Sequence, residues 1–108
     1  MNKMYDIKYL DRSVDIHPIC RKQKREGETL YLLFYAPWDP AGVALVNELK
    51  DAQSEDGEPI YLINSFDTPD EPYTKFRVTS HPTLVTLGKY PRPRTETRLS
   101  QIYRHLGL

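Results

Sequence analysis

One stretch constrains this chain more than any other. Thr29-Leu30-Tyr31-Leu32-Leu33-Phe34-Tyr35-Ala36 is a near-continuous apolar and aromatic run, and it passes through Pro37-Trp38 into Asp39-Pro40. Apolar side chains without alternation fit a central strand covered on both faces. Asp39 then Pro40 reads as a helix start. The carboxylate accepts free backbone N–H groups, and proline is tolerated where its missing N–H has no partner to lose. Val43, Leu45, Val46 and Leu49 give the following helix an apolar stripe. A doubly covered strand feeding a helix requires an α/β layered fold.

The rest of the chain extends that pattern. Met4 to Leu10 alternates (Tyr5, Ile7, Tyr9) as a short strand. Ser13 is expected to cap a helix that runs to Arg25 and stops at Gly27, and Pro18 inside it predicts a break or a later start. Glu55-Asp56-Gly57-Glu58-Pro59 is a turn, and Ile60 to Phe66 reads as a second buried strand. Asp70 to Val78 is expected to be a short helix with Tyr73, Phe76 and Arg77 at helical spacing. Pro82 to Leu87 is a third buried strand, Gly88 to Pro93 a turn, and Arg94 to Leu99 a polar edge strand. Ser100 is expected to cap a last helix that turns Ile102, Tyr103 and Leu106 inward. The order β-α-β-α-β-α-β-β-α predicts a mixed central sheet flanked by helices on both faces, in one domain over 1–108.

Charge and cysteine content remove several classes of function. Formal net charge is zero, against a protein held mainly by nucleic-acid phosphates. The balance is uneven, however. Glu48, Asp51, Glu55, Asp56, Glu58, Asp67, Asp70 and Glu71 face Lys50 alone in their segment, whereas Lys89, Arg92, Arg94, Arg98 and Arg104 face only Glu96 in theirs. Solvated faces are the ordinary reading, and contact with an acidic partner or RNA within an assembly is the sharper one. Cys20 is the single cysteine, so no intrachain disulfide can form. The N-terminal residues lack the apolar core of a leader, and the Leu30–Pro37 run is too short to span a bilayer. An intracellular, reducing setting without a membrane is expected.

The motifs in sequence order resemble thioredoxin along nearly the whole chain. A buried strand ends in Tyr35-Ala36-Pro37-Trp38 and runs into a helix; His81-Pro82-Thr83-Leu84 follows, then a hairpin and a final helix. The resemblance implies a thioredoxin fold and a cis His81–Pro82 bond. The departures bear on function. Thioredoxin's Cys-x-x-Cys positions are Asp39 and Gly42 here, and exchange needs a low-pKa thiolate and a resolving thiol. Its buried Asp is Leu33, its nearby Lys falls at Ile63, and its helix-kinking Pro is Asn47. A narrower resemblance is to a spliceosomal thioredoxin-like subunit family, on Trp38-Asp39-Pro40, Tyr61-Leu62 and Pro69-Asp70; that family implies a protein-binding scaffold.

These readings lead to a non-catalytic interaction domain. Its expected partner site is Trp38, Asp39, Pro40, Gly42, His81, Pro82 and Thr83, with Tyr90, Arg92 and Arg94 as a secondary contact. Asp39 is first a helix cap, Trp38 an interface anchor or a loop cover, and His81 a pH-sensitive group or a spectator. Rival readings are a structural subunit of a ribonucleoprotein or viral particle, and a residual enzyme using Cys20, whose neighbours Arg21, Lys22 and Lys24 would activate it. His17, His81, His105 and Cys20 show no ligand spacing, so no metal site is expected. The five glycines form no phosphate-cradling loop, and no cofactor or small-molecule ligand is expected.

Overall fold

The computed structural model describes residues 3–11, 15–66, 68 and 70–108. The elements are β1 (Tyr5–Leu10), α1 (Ile16–Glu26), β2 (Leu30–Tyr35), α2 (Pro40–Asp51), β3 (Glu58–Asn64), α3 (Glu71–Phe76), β4 (Thr83–Leu87), β5 (Arg94–Glu96) and α4 (Leu99–Leu106). They build one five-stranded sheet in the order β1-β3-β2-β4-β5. β1, β3 and β2 are mutually parallel, and β4 and β5 join antiparallel. The expected mixed sheet between helical layers is what the chain forms.

β2 divides the core in two. Successive strand side chains point to opposite faces. Tyr31 and Leu33 therefore pack with Leu45, Val46 and Leu49 of α2 and Ile102 and Leu106 of α4. Leu30, Leu32 and Phe34 pack on the other face with Ile16 of α1, with Tyr73 and Phe76 of α3 against them. Leu33 has Leu62 beside it in register, and both lie in the α2–α4 layer. Ile63 belongs to the opposite layer, so Leu62 and not Ile63 is the residue that faces Leu33. Two long-range ties close the first layer. The Tyr5 hydroxyl donates to the Leu106 carbonyl at 2.5 Å. Lys3 donates to the Tyr31 hydroxyl at 3.1 Å and pairs with Glu58.

Several boundaries differ from the sequence expectations, each for a local reason. α1 starts at Ile16, where Asp15 accepts the His17 N–H, and Pro18 sits in the first turn where a missing donor costs nothing. Ser13, the expected cap, lies outside the described residues, as does Pro69. β1 is an edge strand, so Tyr9 stays exposed despite its alternation with Tyr5 and Ile7. β3 stops at Asn64, whose side chain accepts the Phe66 N–H, and Phe66 swings out to solvent. α3 ends before Arg77, which takes a left-handed φ of 55° and turns Val78 into the core. β5 covers only Arg94–Glu96, and α4 begins at Leu99 with Ser100 inside it. The N-cap residue Arg98 makes no side-chain cap bond; Glu96 holds the turn ahead of the helix, its carboxylate accepting the Thr97 and Arg98 N–H groups, each at 3.0 Å. Those bonds hold its pKa below the usual range.

Leu33 is fully buried at the centre of the sheet. Leu33→Ala is expected to cost ~2–5 kcal/mol, read as a lower urea midpoint with an unchanged slope. A loss well under that range would show that the two layers close over the gap.

Candidate functional site

The ends of the three parallel strands meet at one edge of the sheet, the edge at which open α/β sheets place ligands. Register then brings the two sequence motifs together. Phe34 of β2 lies opposite Thr83 of β4, so Trp38-Asp39-Pro40 and the 81–83 turn emerge as neighbours. The His81–Pro82 bond is cis. Thr83 is buried, and its hydroxyl donates to the Ser80 carbonyl at 2.7 Å, which closes that turn.

Asp39 is a helix cap. Its Oδ1 accepts the Ala41 N–H at 3.2 Å, and its own backbone N–H donates to Ala36 O at 3.0 Å. Oδ2 lies over Gly42, where a Cβ would stand 3.4 Å from it. The carboxylate thus fills the space between the two positions where a disulfide exchanger keeps its sulfurs. With Cys20 the only cysteine, the chain has no Cys-x-x-Cys motif.

His81 is the titratable group that responds to Asp39. Its ring meets the Tyr73 ring at 5.6 Å between centroids, and Nε2 lies 3.3 Å from the Tyr73 hydroxyl. Tyr73 in turn packs edge-on against Phe34 at 4.9 Å. Burial lowers the His81 pKa from 6.5, and the Asp39 charge pulls it partly back. Burial also pushes Tyr73 up to about 12, so its phenol stays protonated at neutral pH.

Of the expected partner residues, Trp38 and Pro40 are exposed and Asp39 and His81 half-buried, whereas Gly42, Pro82 and Thr83 are buried. Trp38 is 68% exposed. Two further aromatics share its edge and were not anticipated there. Phe66 follows the end of β3 and is 74% exposed; Tyr9 near the end of β1 is 54% exposed and electrostatically felt by Tyr35. The sequence signal for Phe66 was Asn64, a turn former that ends the strand early.

The basic hairpin is a separate feature. Arg94 stacks on Tyr90 at 5.0 Å, and Tyr90 with Arg92 borders a cavity of ≈ 340 Å³ against Gln23 and Lys24 of α1. Gly88 opens this turn at φ 86°, and a Cβ there would strike the Glu28 carbonyl. Cys20 packs half-buried in the α1–α3 layer. Burial pushes its thiol up, and Lys75, not the flanking residues Arg21, Lys22 or Lys24, supplies the weaker opposing pull.

No family model and no curated relative matches the sequence. Solved structures do match. Trxlp from Edwardsiella tarda superposes with a TM-score of 0.64 at 21% identity, covering 94% of this chain and 100% of that one. The Schistosoma mansoni thioredoxin gives 0.64 at 14%, covering 94% and 93%. Thioredoxin NaTrxh from Nicotiana alata gives 0.71 at 13%, covering 98% and 94%. The chain has a thioredoxin fold. At these identities the likeness is one of fold alone. Among the described residues no helix is long and apolar enough to cross a membrane.

Two measurements check this electrostatic picture. The His81 imidazole, followed by NMR, should protonate below 6.5. Because folding favours its neutral form, the stability it contributes is present above that pH and is lost as pH falls through the folded midpoint. Asp39→Asn should move the midpoint further down; an upward move would overturn the assignment. Cys20 should alkylate more slowly than free cysteine at neutral pH, since only the thiolate reacts. A rate above that of free cysteine would restore a reactive thiol.

Proposed function

We propose that this chain is a non-catalytic protein-interaction domain that binds an extended partner segment along the sheet edge carrying Trp38, Asp39, Pro40 and the 81–83 turn. The observation that carries the reading is the exposed Trp38 beside a helix start in which Asp39 and Gly42 occupy the exchange positions. A fixed carboxylate cannot form or break a disulfide, so the fold keeps a binding edge without the chemistry. A large aromatic side chain on an ordered turn is the usual anchor of an interface. Tyr9 and Phe66 widen the apolar surface on the same edge. The raised Cys20 pKa and its packing argue against a residual thiol enzyme. Inside the cell, that lone thiol stays reduced and unpaired.

A second reading has its own observation. The Tyr90–Arg94 stack, which brackets Pro91 and Pro93, makes a stiff basic tip suited to an acidic surface in a larger assembly.

Peptides selected on the immobilised chain from a displayed library separate these readings. Trp38→Ala should weaken the selected peptides by about 30-fold or more, as expected for an interface anchor worth ~2 kcal/mol. Equal binding by the variant, with loss on charge reversal at Arg92 and Arg94, would transfer the function to the hairpin. An insulin-reduction assay should show no rate above buffer; a measurable rate would end the non-catalytic reading.

A further inference from the structure

The fold brings together three metal-ligating side chains that sequence spacing leaves apart. Asp15 caps α1, His17 lies in its first turn, and Glu71 opens α3. His17 Nε2 is hydrogen-bonded to Glu71 Oε1 across 54 positions of sequence. One ligand atom from each of the three residues lies within 4.8 Å of the other two. From these residues we propose that Asp15, His17 and Glu71 form a binding site for a zinc-class divalent cation that staples α1 to α3.

The donor set selects the ion. An imidazole nitrogen with two carboxylates suits borderline ions such as Zn²⁺, whereas Ca²⁺ and Mg²⁺ prefer all-oxygen shells. Two carboxylates neutralise a divalent charge. They also outweigh the roughly half positive charge at the α1 N-terminus, which alone would oppose a cation. Zinc bonds of about 2.0–2.2 Å need donors a little over 3 Å apart in a tetrahedron. His17 and Glu71 are already hydrogen-bonded, and a metal ion would take the place of that bond between them. The third donor then has to close by an ångström or so, and the exposed Asp15 carboxylate can turn to do so. Its Oδ1 accepts the His17 N–H at 3.0 Å, which leaves Oδ2 free to bind without loss of the cap. Three protein ligands plus water complete a tetrahedron open to solvent.

The ligands come from distant parts of the chain, so the site exists only in the folded state. Bound metal therefore stabilises the fold by mass action. It would join the two helices over the Phe34–Tyr73 layer.

The test is titration of the untagged, chelator-stripped full chain with Co²⁺, followed by its visible absorption, and then displacement by Zn²⁺. One equivalent should bind, with a rise in melting temperature. His17→Ala and Glu71→Gln should each weaken binding about tenfold or more, since even supporting residues around a metal account for that much. His81→Ala and His105→Ala should leave it unchanged. Far-UV circular dichroism of the metal-free variants should match wild type, which separates loss of a ligand from loss of fold. No saturable binding by the wild type would leave an ion pair alone and overturn the proposal. Binding that His17→Ala does not weaken would also overturn it.

Discussion

Burial of β2 on both faces is the constraint on which the rest depends. A strand with only one covered face supports one layer, whereas β2 supplies Tyr31 and Leu33 to one layer and Leu30, Leu32 and Phe34 to the other. Each helix is held because it covers one of these rows. The same strand aims the proposed binding edge. Its pairing with β4 fixes which residues stand beside the 81–83 turn, and its pairing with β3 sets Tyr35 next to Asn64. A slip by one residue would exchange the layers and move Asp39 away from His81. Precision at the edge is thus a product of the core.

The carboxylate of Asp39 at the start of α2 has an electrostatic logic. A helix N-terminus favours an anion, and Asp39 sits in that field as the cap. Apolar Leu33 and Leu62 lie below it, where a proton relay would need polar groups. The charge acts instead on His81, whose neutral form is otherwise favoured by burial. The edge presents a fixed negative group, a largely neutral imidazole and exposed aromatic surface.

Elements with strong periodicity or two-sided burial were legible in the sequence: β2, the Asp39–Pro40 start of α2, β4 and the stop at Gly27. The misread positions were those where a side-chain hydrogen bond competes with the apolar pattern. Asn64 ends β3 before Phe66, Asp15 starts α1, and Glu96 turns the chain ahead of α4. The exposure of Tyr9 follows from β1 lying at an edge, which alternation alone cannot reveal. Trp38, Asp39 and His81 stand out in the sequence as candidate residues because they lie in compact motifs. Tyr73 beneath His81, and the proximity of His17 to Glu71, depend on how α3 docks, and local sequence does not encode that.

The bond from the Tyr5 hydroxyl to Leu106 reaches across 101 positions. It gives the order of assembly a direction. As the chain leaves the ribosome, β1 emerges first, but its parallel partner β3 and its tie to α4 come much later. Loops of that length close slowly, and until they do the aromatic face of β1 waits uncovered. The first of these strands is therefore among the last to be secured, and until α4 is made Tyr5 lacks its anchor.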